Sequence, residues 1–250
     1  MSGFLLDPGR LVILGVVALL AFTTEGAIGF GGTVLAASIG AQFIPLDLLL
    51  PAFVPLNILL SAWLLGNGVK AIAWRMLVRE VVPAVGIGAA IGLVLFHLPA
   101  KTALALAFGV FVVGLAALQL ARPADKPLPR PAQLGFLALG GIAHGLFGTG
   151  GPMIVYVVRR RLADKRAFRA TLAVLWLTLN IALLVNFASS HLYNTRTGEV
   201  GCVIALALVP GLFIGNRIHH RLEADKFERV VWLVLLLAGG ALAVRSAFAL

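Results

Sequence analysis

Long apolar segments alternate with short polar ones along the whole chain. The apolar runs span roughly residues 11–39, 46–66, 80–97, 101–121, 132–158, 168–190, 200–216 and 228–248. A helix needs about 20 apolar residues to cross the roughly 30 Å hydrocarbon core of a bilayer. Six of the runs have that length or slightly less, and the other two, 11–39 and 132–158, are longer. The pattern predicts an all-α integral membrane protein.

Each of the two long runs is interrupted midway by a glycine cluster. Residues 25–33 read EGAIGFGGT and residues 144–152 read HGLFGTGGP, so four glycines match at an offset of 119. Two glycines followed by Pro152 are typical of a helix that breaks and restarts, because proline is tolerated at the first helical position but not in a helix interior. The alternative is close packing of small residues between helices, a role that we expect for Gly88 and Gly92.

A polar segment divides the chain nearly in half. Residues 122–131, with the sequence RPADKPLPRP, hold four prolines and four charged residues, which cannot remain in lipid. We therefore predict a first membrane repeat at 1–121, a Pro-rich cytoplasmic linker at 122–131 and a second membrane repeat at 132–250. The N-terminus has no basic region and no clear cleavage site, so we expect the first apolar run to be retained.

The distribution of lysine and arginine distinguishes two topologies. If all eight runs cross the membrane, 9 basic residues fall on one side and 11 on the other. If each glycine-broken run enters and returns to the same side, the split is 16 to 4. Cytoplasmic loops carry an excess of Lys and Arg, so the second arrangement is favoured. It makes the halves inverted repeats, each a re-entrant, glycine-broken helical hairpin followed by three transmembrane helices. Residues 11–24 are then a half-helix of about 21 Å that does not cross.

Composition supports the membrane prediction and excludes several functions. Charged residues are 12% of the 250-residue chain, against about 25% in an ordinary globular domain. The net charge of +10 comes from the loops, so we attribute it to topology and not to nucleic-acid binding. A single Cys202 with few acids and histidines argues against a disulfide or a metal site. No phosphate-binding GxxxxGK[ST] motif is present, and we expect no cofactor.

The glycine motifs provide donors for an anion. Glycine lets a backbone N–H approach a ligand closely, and a helix restart presents free N–H groups at the positive end of a dipole. Lysine and arginine lie only at the edges of the apolar runs, so backbone and hydroxyl donors must hold an anion at mid-membrane. The predicted substrate-binding residues are Gly29, Gly31, Gly32, Thr33 and Asn57 in the first half, and Gly148, Thr149, Gly150, Gly151, Pro152 and Asn180 in the second.

Two ionisable residues occupy matched positions just before the motifs. Glu25 opens the first motif and His144 opens the second. An ionised carboxylate at mid-bilayer costs about 3 kcal/mol, so these residues are either proton-coupling groups beside the site or a hydrogen-bonded structural pair. Interhelical hydrogen bonding is the corresponding alternative for Asn57 and Asn180.

The duplicated motif gives the chain a family resemblance. Each half opens with Gly-x-Gly-Gly in an interrupted apolar run, and the second continues into Gly-Gly-Pro at 150–152. These features resemble the sulfite exporter TauE/SafE family, also called the toluene-sulfonate uptake permease family. The resemblance covers almost the whole chain and implies a secondary transporter of sulfite, sulfonates or related organosulfonates in the prokaryotic cytoplasmic (inner) membrane. Protons are candidate coupling ions, and a homodimer is left open.

Two alternatives to that function are weighed. One is a carrier or channel for another small anion, such as a carboxylate. The other is an intramembrane enzyme, which is disfavoured because Ser38 and Ser61 lack a Gly-x-Ser-x-Gly frame and no His-Glu-x-x-His motif occurs. We therefore predict a protein without enzymatic activity, whose partners are a small anion and the lipid bilayer.

Overall fold

Helices make up nearly all of the part of the chain that the structure describes. The computed structural model describes residues 8–66, 68–97, 101–121, 128–162, 164–221 and 224–248. Its helices are α1 (Pro8–Ile28), α2 (Gly32–Gly40), α3 (Leu46–Gly66), α4 (Trp74–Met76), α5 (Val82–Phe96), α6 (Lys101–Ala121), α7 (Arg130–Phe147), α8 (Gly151–Arg159), α9 (Lys165–Ser189), α10 (Thr195–Arg221) and α11 (Ala224–Ala247). A 3₁₀ turn (Val69–Ala71) precedes α4, and a π-helical turn (Leu77–Val81) joins α4 to α5. No strand occurs within these ranges, so the predicted all-α class is confirmed.

Several helices have the length and surface of membrane spans. Within the described residues, five segments are long and apolar enough to cross a membrane: Gly9–Ile28, Leu46–Gly66, Trp74–Phe96, Arg166–Ser189 and Thr195–His219. Shorter apolar stretches lie within α6 and α11. Large apolar side chains point outward along α10, where Leu206, Val209 and Phe213 are all more than half exposed. A continuous apolar surface of this kind is suited to lipid and not to water.

The two long apolar runs break where the glycine clusters predict. α1 ends at Ile28 and α2 begins at Gly32, while α7 ends at Phe147 and α8 begins at Gly151. The prediction of a half-helix at 11–24 is wrong, because α1 continues to Ile28. Its 21 residues span about 31 Å at 1.5 Å per residue, enough to cross a membrane. The helix that follows each break is short, since α2 and α8 have nine residues each.

The junction between the halves lies partly outside the described residues. Of the predicted linker at 122–131, residues 122–127 are not described. α7 begins at Arg130, so the last two residues of the predicted linker are helical.

Glycine contacts join helices of different halves. α1 packs along α10, where a Cβ carbon on Gly26 would lie 3.4 Å from the Gly215 Cα. α5 packs along α7, where a Cβ carbon on Gly92 would lie 2.9 Å from the Gly145 Cα and one on Gly88 would meet the backbone of α7. The expectation that Gly88 and Gly92 serve close helix packing is confirmed. In both pairs the residue numbers rise together, so the paired helices run parallel.

α6 and α11 form a pair of opposite direction. A Cβ carbon on Gly109 of α6 would meet the Ala243 backbone, and one on Gly239 of α11 would meet the Val112 side chain. The residue numbers run in opposite senses along the contact, so α6 and α11 are antiparallel.

α3 and α9 also run antiparallel, and more than half of each apolar span is buried. Gly68, just beyond the end of α3, lies beside Ala170 in the first turns of α9. At the other end, Leu50 of α3 and Leu183 of α9 both approach Gly148 at the break after α7. Asn57 and Asn180 therefore lie within the middle stretches of two helices that contact each other.

Candidate functional site

Positive-φ glycines shape both helix breaks. Gly29 and Gly31 have φ values of 86° and 89°, and Gly148 has a φ of 65°. Side chains other than glycine rarely adopt this region, so the turns depend on glycine at these positions. Gly31 precedes α2 and Gly150 precedes α8, but Gly150 has an ordinary φ of −92°. The two breaks are therefore related in sequence without having identical backbones.

One small cavity is lined by both helix restarts. The glycines on its wall are Gly31, Gly148, Gly150 and Gly151. The other lining residues are Glu25, Phe30, Thr33, His144, Thr149, Trp176 and Asn180. The restarts are close, since a Cβ carbon on Gly151 would lie 3.9 Å from the Gly31 nitrogen. The cavity offers about 20 Å³ to the centre of a water molecule, which is room for roughly one such molecule.

The cavity brings together most of the predicted site residues, and they come from both halves. Among the predicted residues, Gly29, Gly32 and Asn57 are not part of its lining. Pro152 is the second residue of α8, and its side chain lies outside the described part of the structure.

The Glu25 side chain folds back onto the first turn of α2. The Glu25 carboxyl group lies near the Thr33 backbone N–H. A Cβ carbon on Gly32 would lie only 2.6 Å from Glu25 Oε2, which shows how closely the carboxyl approaches the helix start. Glu25 is 5% exposed. A carboxylate at a helix N-terminus is favoured by the free N–H groups and by the dipole, so the start of α2 suits the Glu25 carboxyl group.

His144 holds the matching position in the second half but makes no corresponding bond. It is 3% exposed, and neither Nδ1 nor Nε2 has a hydrogen-bond partner. Its ring stacks on Trp176, with centroids 5.9 Å apart and planes inclined by 12°. No ion pair joins His144 to Glu25 in the described residues. The start of α8 therefore has an imidazole ring nearby where the start of α2 has a carboxyl group.

The two asparagines also differ in their partners. Asn57 Nδ2 donates to Thr33 Oγ1 at 3.0 Å, which ties α3 to α2. Position 152, the counterpart of Thr33, is proline and has no hydroxyl group. Asn180 Oδ1 has no hydrogen-bond partner, although Asn180 is 3% exposed and lines the cavity.

Three side chains near the site were not predicted from the sequence. Phe30 and Trp176 line the cavity, and Trp176 Nε1 donates to the Gly29 carbonyl oxygen at 3.0 Å. Trp176 precedes Asn180 by four residues on α9, which places both on one helix face and was an available signal. Arg169 lies beside the first break, where a Cβ carbon on Gly29 would be 3.4 Å from Arg169 Cγ.

A helical membrane protein with two broken helices meeting at a buried polar cavity has the architecture of a transporter. The chain matches the model of the family described as sulfite exporter TauE/SafE over residues 14–242. It belongs to that family, and it is a transporter and not an enzyme. It is similar to the probable inner membrane transporter protein TsaS of Comamonas testosteroni, at 28% identity over 178 residues, which cover 70% of this chain and 74% of the relative.

The same comparisons confirm the predicted location as well as the family. The inner-membrane relative and the five apolar helices together indicate a multi-pass protein of the inner membrane. No solved structure matches the chain.

Proposed function

We propose that the chain is a secondary transporter of a small sulfur-containing anion, namely sulfite, a sulfonate or a related organosulfonate. The family model is described as a sulfite exporter, and this description supports the substrate class. The observation that carries the proposal is the cavity shared by the two helix restarts. Its described lining holds neutral donors, a carboxyl group and two aromatic rings, but no lysine or arginine.

Neutral donors suit a carrier because the anion must be both bound and released. An anion that leaves water must replace its hydration shell or remain outside. A helix N-terminus supplies about half an elementary positive charge, and hydroxyl, amide and imidazole groups add further donors. A fixed ammonium or guanidinium group would bind the anion more tightly and would slow its release.

We further propose that the two halves are inverted repeats. α3 and α9 hold equivalent places in the two halves and run antiparallel, and so do α6 and α11. The other two contacting pairs each join a helix of the first half to a helix of the second: α1 lies beside α10, and α5 lies beside α7. A two-fold axis in the membrane plane relates helices in this way. In this arrangement α1 and α7 enter from opposite sides, and α2 and α8 return part of the way.

Glu25 is the proposed proton-coupling group, with His144 as its counterpart. Both line the cavity that would hold the anion. An ionised Glu25 would repel the substrate, so protonation of Glu25 would favour loading. The other ionisable groups near the first break are Arg169, beside Gly29, and His219, whose Nδ1 lies 2.8 Å from the Ala27 carbonyl oxygen.

Transport by the purified protein in liposomes tests the proposal. The substrates are sulfite, sulfoacetate, taurine, thiosulfate and simple carboxylates, each with and without a proton gradient and without ATP. We expect saturable uptake of at least one sulfur anion, stimulated by the gradient. Uptake of carboxylates alone would show that the substrates are carboxylates and not sulfur anions. No uptake of any anion would contradict the proposal that the chain is an anion transporter.

A further inference from the structure

The glycine motifs of the two halves match in sequence, yet the structure gives them different surroundings. We call the α2 restart with Glu25 and Thr33 the first half-site, and the α8 restart with His144, Thr149 and Asn180 the second half-site. We infer that the negatively charged group of the substrate binds at the second half-site, because the Glu25 carboxyl group already occupies the first. The inference rests on the proposed function and assigns a position within the same cavity.

The first half-site is already satisfied by groups of the protein. The Glu25 carboxyl group lies against the start of α2, beside Gly32 and the Thr33 N–H, and the Thr33 hydroxyl accepts from Asn57 Nδ2 at 3.0 Å. The close approach of Glu25 Oε2 to Gly32 leaves no room even for a methyl group. An external anion would have to displace a carboxyl group that is covalently held at the same donors.

The second half-site has the opposite character. Asn180 Oδ1 and both ring nitrogens of His144 lack hydrogen-bond partners, although both residues are more than nine-tenths buried. Buried polar groups are nearly always paired, so groups left open around a cavity indicate a missing ligand or water. The wall also includes the Thr149 residue and the backbone of Gly150 and Gly151 at the start of the nine-residue α8.

The donor set at the second half-site suits the charged head of an oxyanion. An asparagine Nδ2, a threonine hydroxyl, one N–H of an imidazole ring and helix N–H groups can all donate hydrogen bonds to anion oxygens, whereas Asn180 Oδ1 accepts and suits a water molecule or a protonated oxygen of the anion. Such a set can surround the several oxygens of a sulfite or sulfonate group, while the rings of Phe30 and Trp176 complete the wall.

Matched substitutions at the two asparagines test the inference. Asn180→Asp places a negative charge at the second half-site and should weaken binding of radiolabelled sulfite at least tenfold more than Asn57→Asp does. At position 57 an aspartate can still accept a hydrogen bond from the Thr33 hydroxyl, with donor and acceptor reversed. Glu25→Gln should bind sulfite at least as tightly as the unmodified protein, because it removes the competing charge.

The measurement is equilibrium binding of sulfite to the full chain in detergent, with folding checked by gel filtration and thermal unfolding. If a buried aspartate prevents folding, Asn180→Ser and Asn57→Ser form an uncharged pair for which the same order of affinities is expected. Equal losses at the two positions, a larger loss at Asn57, or loss of binding in Glu25→Gln would overturn the inference while leaving an anion transporter. Failure of the unmodified protein to bind any sulfur anion would instead reject the proposed function and the half-site assignment together.

Discussion

Gly151→Ala is the substitution that separates a ligand site from helix packing most cleanly. Gly151 is the first residue of α8 and lines the cavity beside the other restart. An added Cβ carbon would lie 3.7 Å from Phe30 Cβ and 3.9 Å from the Gly31 nitrogen, which are ordinary van der Waals distances. The new methyl group would therefore stand between the two restarts without displacing either of them.

Gly151→Ala is expected to leave the unfolding temperature unchanged or slightly raised and to lower the affinity for sulfite. Alanine is more stable than glycine in a helix by roughly 0.5–1 kcal/mol, so the unfolding temperature should be unchanged or slightly raised. The cavity offers only about 20 Å³ to the centre of a water molecule, and a methyl group is comparable to a water molecule in size. We expect sulfite affinity to fall by tenfold or more, which corresponds to about 1.4 kcal/mol.

The neighbouring glycines would not give as clear an answer. At Gly150 a Cβ carbon would lie 2.7 Å from the Gly140 carbonyl carbon, so the packing of α7 on α8 would have to shift. At Gly31 the φ of 89° would strain an alanine by about 1–2 kcal/mol. Loss of function in either variant could then result from misfolding alone.

The assay pairs sulfite uptake into liposomes with thermal unfolding of the same preparation in detergent. Gly86→Ala on α5 is the matched control, because Gly86 is exposed and no atom lies within 4 Å of its added Cβ carbon. It should gain the same helix preference and keep full transport. Normal transport by Gly151→Ala would refute the assignment of the anion to the space between the restarts.

Three other predictions address coupling, packing and topology. Glu25→Gln and His144→Gln should flatten the pH dependence of transport, and unchanged pH profiles in both would leave the two residues structural. Gly92→Ala, whose Cβ carbon would overlap the backbone of α7, should lower the free energy of unfolding by about 1–3 kcal/mol while any folded fraction still binds sulfite, as measured by thermal unfolding and binding together. In a cysteine-free background, Arg75→Cys and Arg166→Cys should both resist an impermeant reagent added outside and both react in inverted vesicles; labelling of only one from outside would favour eight crossings.

The positions of the helices and of the two breaks could be predicted because their causes are local. Apolar runs of about 20 residues and clusters such as Gly29, Gly31 and Gly148 act through the length of the span and the allowed backbone angles. The continuation of α1 to Ile28 could not be predicted in the same way. Thr24 and Glu25 are polar and Gly26 is a weak helix former, and the packing of Gly26 against α10 is a contact with residues far away in the sequence.

The candidate site shows the same division between local and distant causes. Both glycine motifs could be located from the sequence, and most of the predicted binding residues line one cavity. The sequence could not show that Glu25 would turn back onto α2, because that contact depends on the angle between two helices. The sequence also could not show that Asn57 and Asn180 would differ in their hydrogen-bond partners. Asn57 is bonded to the Thr33 hydroxyl, whereas Asn180 Oδ1 has no hydrogen-bond partner.

The exchange of helix partners between the halves has a consequence for how the protein is made. The glycine-bearing face of α1 packs on α10, yet roughly 170 residues separate the end of α1 from the start of α10. At a synthesis rate of about 5–20 residues per second, α1 is made roughly 10–30 s before synthesis reaches α10. During that interval the buried carboxyl group of Glu25 depends on the local hairpin alone. The short α2 helix thus shelters a costly group from lipid early in biogenesis, before the second half is available.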